Sequence, residues 1–593
     1  EGDGGGGTLR SDLEMARRFG NLEGAPRAAW KKVSAALDSI FTGAGDLPEW
    51  RGELYLELHR GTYTTQARTK RNNRRLEFAL RSTEFLSAFA ALDGKTAYPG
   101  ETLLESWKKT LTLQFHDIIP GSSIGRVYEE AEEDAEKILH TLENIRGEVC
   151  RRLLEEHGGG LLAVNDLSWT RRDALRVPAS WTAGGNIVRA SEGTEYPIQR
   201  YVNMEGEEEA VFAPALPPMG WDCFRISAGN GGGGGKKPPF KWQENLLETP
   251  FYRIAFDRAG RITSFVDLKQ DRELVAPGGF FNSIITAEDV PVFWDAWDID
   301  ADWTRHIAED TNLVSTETAA SGPVCFRLRK IYRIGTASKL TQDMVCYAEN
   351  PRIDFETKAE WKERRRLLKA EFDTVIDAAQ VRCEVQYGHL FRNTHRNLPQ
   401  DRAKFEICAH KWISLEETGG GIALLNDCKY GYDVSGGVMR ISLLRSPMAP
   451  DMEADQGAHR FTYALLPFGG SFEEGGIIRS AYELNVKAAA EYAPPSGSGE
   501  AAARSLCSLD GEGVIIESVK APERGDGNAL VVRLYESLGG HRRAALRLDR
   551  PAAAVYQTDM LEEHGEALPF NGSEVPLDFR PFEIKTLLVS FHA

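Results

Sequence analysis

A histidine and a carboxylate stand side by side in Gln114-Phe115-His116-Asp117, just ahead of Pro120-Gly121. Proline stops a helix, so side chains at 116 and 117 leave the end of any helix that precedes them. An imidazole placed there can ligate zinc, and a neighbouring carboxylate can accept hydrogen bonds from a sugar hydroxyl. The negative end of a helix dipole would favour the same histidine without any ligand. No His-x-His or His-x-Asp pair occurs in the chain, so spacing alone defines no metal site. A second candidate, His59-Arg60-Gly61-Thr62-Tyr63-Thr64, follows an alternating run, where polar and aromatic groups at a strand end line clefts in α/β units. In Trp294-Asp295-Ala296-Trp297-Asp298, aromatic faces for stacking on sugar C–H surfaces alternate with hydroxyl acceptors. Two tryptophans packing a sandwich edge would leave the same pattern. Asp3 sits within Gly2-Asp3-Gly4-Gly5-Gly6-Gly7, either a loop that approaches a ligand closely or a frayed terminus. Arg392-Asn393-Thr394-His395-Arg396-Asn397 and Leu425-Asn426-Asp427-Cys428-Lys429-Tyr430-Gly431 read as polar loops or satisfied turns.

The elements that must position these groups change character along the chain. Glu53-Leu54-Tyr55-Leu56-Glu57-Leu58-His59 alternates strictly, which predicts a half-buried strand. Residues 69–92, 101–115 and 124–156 carry apolar positions at steps of three and four, which predicts three amphipathic helices packed as a bundle. Gly158-Gly159-Gly160 ends that pattern. Beyond it lie many short strand-like runs between Gly/Pro turns, the pattern of β-sandwiches. Glycine- and proline-rich stretches at 231–239 and 494–499 read as linkers. The expected organisation is a multidomain α+β chain: the end of an α/β barrel (1–66), a three-helix bundle (67–157), a small β-domain (158–235), a large β-sandwich (240–490) and a C-terminal β-sandwich (505–593).

Composition narrows the function classes. With 593 residues, 42% hydrophobic and 27% charged, the chain has material for several globular cores. A net charge of -17 argues against nucleic acid or an anionic membrane surface as partner. No apolar run is long enough to span a bilayer. The eight cysteines are scattered with no C-x-x-C pair, which suits free thiols in a reducing, cytoplasmic setting. The glycine runs lack the trailing Lys-Ser/Thr of a phosphate loop.

Four blocks then carry a resemblance. They are residues 53–65, Gln114-Phe115-His116-Asp117 with Pro120-Gly121-Ser122, residues 425–431, and Leu443-Leu444-Arg445-Ser446-Pro447. In this order they resemble glycoside hydrolase family 38, the α-mannosidases, in its bacterial and cytosolic branch. The resemblance implies a catalytic α/β barrel, a helical bundle and β-sandwiches. It also implies retaining hydrolysis of terminal α-mannosyl residues of oligosaccharides, with zinc (or cobalt) holding adjacent mannose hydroxyls. Carried over residue by residue, His116 becomes a metal ligand and Asp117 a substrate contact. Trp297 and Asp298 become further substrate contacts, and Asp3 an acid/base. The other zinc ligands and the nucleophile of the family have no match here. The chain, which opens without Met, is therefore expected to be a C-terminal portion that is inactive alone. A mannose-containing oligosaccharide is the expected partner, and a homo-oligomer is compatible with the sequence. Two rivals remain open: a hydrolase of mannosyl conjugates such as mannosylglycerate, and a non-catalytic carbohydrate-binding β-sandwich module.

Overall fold

The computed structural model describes residues 7–229, 238–496, 501–524 and 527–592. It divides into two compact units, Glu1–Leu56 and Glu57–Ala593. The first holds helices α1 (Arg10–Phe19) and α2 (Val33–Phe41), neither of which buries a residue. No strand forms over residues 53–59, which corrects the reading of their alternation. Leu58 has a φ of 66°, a left-handed conformation foreign to an extended strand. Among the described residues no sheet includes this stretch, and Leu54 is 83% exposed. Residues 7–66 thus contain helices and irregular chain, and nothing in them forms a barrel strand.

The second unit begins with helices α3 (Ala67–Leu92), α4 (Gly100–Leu113) and α5 (Gly125–Glu156), close to the three expected spans. Leu76 and Leu80 of α3, Leu103 of α4, and Ala135, Ile138 and Leu142 of α5 form the bundle core. α3 is buried on a second side too. Its Phe85, Leu86 and Phe89 enter a core shared with α5 and the C-terminal β-sandwich. Gly159, at φ +77°, turns the chain into the next strand; a Cβ there would lie 2.3 Å from the Pro494 carbonyl oxygen.

That strand, Gly160–Asn165, is buried at every position and pairs on both edges, with Gly220–Ser227 and with Ala489–Ala493. Ala503–Ser505 also pairs with Gly220–Ser227. The small β-domain expected within 158–235 is therefore completed by strands from beyond the large sandwich, because a fully buried strand needs a neighbour on each edge. The large sandwich stacks an 11-stranded sheet on a 9-stranded sheet. Phe372 of one meets Phe355 and Tyr463 of the other at ring separations of 6.0 and 6.3 Å. α6 (Pro399–Ala403) interrupts its strands and α7 (Ile477–Asn485) follows the last of them. Three- and five-stranded sheets close the chain as a smaller sandwich. All eight cysteines are free thiols, seven of them buried.

Candidate functional site

The segment 59–66 is a hub on which most of the sequence candidates converge. Gly61 and Thr62 donate their backbone N–H groups to the Trp297 carbonyl (2.8 and 3.3 Å), and Thr65 Oγ1 donates to the Ala296 carbonyl (3.0 Å). The His59 ring meets Trp297 edge-on at 5.0 Å. Arg60 pairs with Asp298 (3.2 Å) and donates to the Ala403 carbonyl. Arg445, fully buried, donates to Asp289 Oδ2 (2.5 Å), Thr65 Oγ1 (3.1 Å) and the Asp298 carbonyl (2.5 Å). Burial pushes the Asp289 carboxyl up and the adjacent guanidinium opposes that rise. Gly431 closes the other side, with Thr64 Oγ1 2.6 Å from where its Cβ would be. Glycine is needed at both 61 and 431 because neighbouring chain passes within a methyl group's radius.

The His116–Asp117 turn is keyed into the same hub. α4 ends at Leu113, and Gln114 Nε2 donates to Asn73 Oδ1 and Glu77 Oε1 of α3 (both 2.9 Å). Beyond it, Gly121 at φ +91° lies against Thr65, whose carbonyl oxygen would be 2.5 Å from an added Cβ. The buried Lys70 ammonium donates to the carbonyls of Thr65 and Ile119 (2.8 Å for the latter), joining hub to turn. Burial pulls Lys70 down to about 7. Ser123 Oγ donates to the Asp117 carbonyl (2.5 Å). The backbone is held while the side chains stay open. His116 and Asp117 are 77% and 59% exposed, with Nε2 and Oδ2 3.6 Å apart. The Phe115 ring lies 4.3 Å from the imidazole.

The arrangement sorts the remaining expectations. Trp297 is half-buried against His59. Asp298 is 6% exposed, and its carboxylate takes Arg60 and the Ile299 N–H. Within this chain both Asp298 carboxylate oxygens take protein donors, which clamps the segment to Arg60. Asp3 lies outside the described residues. The loop 392–397 belongs elsewhere, with Arg392 donating to the Cys408 carbonyl. Sequence reasoning missed Lys70 and Asp289 as positioning groups, and also Asp455, which accepts the backbone N–H groups of Gln66 and Ala67. The one local sign was a lysine set among the buried positions of α3. No group of three or more His, Cys, Asp or Glu side chains converges as metal ligands among the described residues. These residues therefore offer one open imidazole beside one carboxylate and do not compose a zinc site by themselves.

A helical bundle keyed through buried arginine and lysine into tandem β-sandwiches has a counterpart among solved structures. It matches the crystal structure of an alpha-mannosidase from Enterococcus faecalis with a TM-score of 0.77 at 16% identity, over 98% of this chain and 74% of that one. Three family models match in chain order: the alpha mannosidase middle domain at residues 57–153, the glycosyl hydrolases family 38 C-terminal domain at 247–453, and that family's C-terminal beta sandwich domain at 513–587. The chain belongs to glycosyl hydrolase family 38. It is 35% identical to Alpha-mannosidase 2C1 of Homo sapiens, over 99% of this chain and 55% of that protein. It is 31% identical to Alpha-mannosidase G of Dictyostelium discoideum, over 99% and 57%. The chain thus spans about half the length of these relatives.

Proposed function

We propose that this chain is the middle and C-terminal part of a retaining, zinc-dependent α-mannosidase that hydrolyses terminal α-mannosyl residues of oligosaccharides. The observation that carries the reading is the open His116–Asp117 pair on a turn whose backbone is fixed by Lys70 and Gly121. A ligand must be accessible and pre-positioned, and this pair is both. His116 supplies one imidazole to a metal whose other ligands come from elsewhere in the whole polypeptide. Asp117 accepts hydrogen bonds from the sugar beside it, and Asp3 is the proposed acid/base. Zinc, or cobalt in its place, would supply a Lewis acid for adjacent hydroxyls of the mannosyl ring. This chain alone, offering a single imidazole, holds the metal weakly and turns over no mannoside.

The protein is proposed to act in the cytoplasm, a reading supported by eight unpaired thiols. Among the described residues no helix is long and apolar enough to cross a membrane. The exposed rings of Phe293 and Trp294, 72% and 66% accessible, favour a second reading in which the loop stacks on glycan without cleaving it. One substitution separates the two. In the complete polypeptide, His116→Ala is expected to lower both bound zinc, measured by atomic emission, and kcat. Metal content equal to that of the unsubstituted enzyme would remove the ligand role, and unchanged glycan retention with no hydrolysis in either protein would favour the binding module.

A further inference from the structure

A cavity of ≈ 430 Å³ opens where α3, the small β-domain, the large sandwich and the segment after α7 meet. That volume lies within the range of about 300–1,000 Å³ typical of small-molecule sites, which favour domain junctions. Much of its wall is an ion-pair network that needs no ligand. Arg171 and Arg352 share Asp173 (3.1 and 3.5 Å), Arg352 also takes Asp354 (2.7 Å), and Arg176 and Arg327 converge on Glu356. This network clasps the small β-domain to the sandwich.

Two sets of groups on the same wall are left over. The side chains of Arg71 and Lys487 form no hydrogen bond or ion pair with any described residue, and Nη1 of the buried Arg327 has no partner. Opposed to these donors are three carboxylates that form no ion pair. Glu209 accepts from Asn203 Nδ2 (2.9 Å) and from the Tyr201 hydroxyl, Asp427 from the Thr462 N–H (2.9 Å) and Glu483 from Trp169 Nε1 (2.9 Å). Each carboxylate has about four acceptor positions, so capacity remains. A bare oxyanion entering here would meet three carboxylates, and a cation would meet Arg71 and Lys487. A neutral molecule rich in hydroxyl groups satisfies both sets, since each hydroxyl accepts from the cations and donates to the carboxylates.

We propose that this cavity is a binding site for a neutral polyhydroxylated ligand of the size of one sugar unit, with Arg71 and Lys487 donating and Glu209, Asp427 and Glu483 accepting. The site shares no residue with the His116 turn and goes beyond the hydrolysis proposed above. It would let the protein hold a glycan at a second point.

Saturation-transfer NMR on the full 593-residue chain tests this with methyl α-mannoside as probe and inorganic phosphate as competitor. Saturation transfer to the sugar is expected with the unsubstituted chain and with His116→Ala. It should weaken about tenfold in the double variant Arg71→Gln/Lys487→Gln, which loses two charged donors. Arg71 is half-buried and Lys487 exposed, so an unchanged melting curve is expected to show that the fold survives. A second variant, Glu209→Gln, keeps the shape and removes one charged acceptor, and is expected to weaken transfer as well. Transfer that vanishes in His116→Ala but persists in the double variant would assign the sugar to the His116 turn and overturn the proposal. So would displacement of the sugar by phosphate, or the absence of transfer to the unsubstituted chain.

Discussion

At Gly61 a single methyl group has nowhere to go. A Cβ there would sit 2.0 Å from Arg445 Nη1 and 3.0 Å from the Asp298 carbonyl oxygen. Arg445 cannot swing aside without breaking three hydrogen bonds in a site closed to water. Gly61→Ala is therefore expected to destabilise the protein by about 2–3 kcal/mol, the range of overpacking in a close-packed interior, read as a lower urea midpoint. An unchanged midpoint would mean that the hub is looser than its geometry. Lys330 makes a different residue-scale argument. Burial pulls it down to about 7, with Asp257 the one charge opposing the shift, and its ammonium reaches the Gly260 carbonyl over the Phe256 ring. The folded protein thus resists protonating a group that the unfolded chain protonates near its ordinary value of 10.5. Stability contributed by this lysine is complete above that value and is lost as pH falls to about 7. Lys330→Met removes the dependence, so its stability relative to the unsubstituted protein should grow as pH drops from 10.5 to 7 and level off below. Its advantage at pH 6 should be about 1–3 kcal/mol. Parallel stability curves for the two proteins across that window would sink the assignment.

At the scale of elements, α3 is the member that everything else grips. Its N-cap residue Gln66 is left-handed and offers no side-chain cap. The cap comes from 389 residues away, where Asp455 accepts the N–H groups of Gln66 (2.9 Å) and Ala67 (2.7 Å). An ordinary cap contributes about 1 kcal/mol, but this one is buried, so its removal strands two donors. Asp455→Ala is expected to cost about 2–4 kcal/mol by denaturant titration, and Asp455→Asn, which keeps one acceptor, less. Equal losses in the two variants would contradict the capping role. The same helix shows how far sequence reading reaches. Steps of three and four placed α3, α4 and α5 within a few residues, because each helix has one face in the bundle core. They could not show that Phe85, Leu86 and Phe89 serve a second core, since a helix buried on two sides keeps no single apolar stripe. Alternation over residues 53–59 looked like a strand, yet a strand exists only through pairing, and the positive φ of Leu58 precludes it. The site divides in the same way. His116 and Asp117 could be picked out because they lie together in a short block, Gln114-Phe115-His116-Asp117 before Pro120-Gly121, that carries the family resemblance. Asp289 and Asp455 reach Arg445 and Lys70 only through tertiary packing, and their spacing carries no local signal.

At the scale of the whole molecule, the described domains of the second unit do not own their cores. One continuous apolar cluster takes Phe85 and Phe89 from α3, Leu153 from α5, Leu162 and Trp221 from the small β-domain, and Val532 and Leu587 from the C-terminal sandwich. Strands Ala489–Ala493 and Ala503–Ser505 tie the far end of the large sandwich back to Gly160–Asn165 and Gly220–Ser227. Chains of this length usually unfold domain by domain. A shared core argues otherwise here, because the bundle cannot open without exposing the inner face of the last sandwich. Phe89→Ala in α3 and Val532→Ala in the C-terminal sandwich each remove side-chain volume from that cluster, at a cost of about 3–5 kcal/mol for the phenylalanine and less for the valine. If the cluster is one cooperative unit, both substitutions lower the temperature of the same calorimetric transition. Separable domains would instead show two transitions, with Phe89→Ala moving one and Val532→Ala the other. Such coupling would also bear on the His116 turn. The turn hangs from α3 through Lys70 and Gln114, so losses in the C-terminal sandwich should loosen it and, on the metal-ligand role proposed for His116, weaken metal retention in the complete polypeptide. Val532→Ala, far from any proposed ligand in sequence, is accordingly expected to speed zinc loss to a chelator. A loss rate matching that of the unsubstituted enzyme would show that the shared core stabilises the fold without bracing the turn.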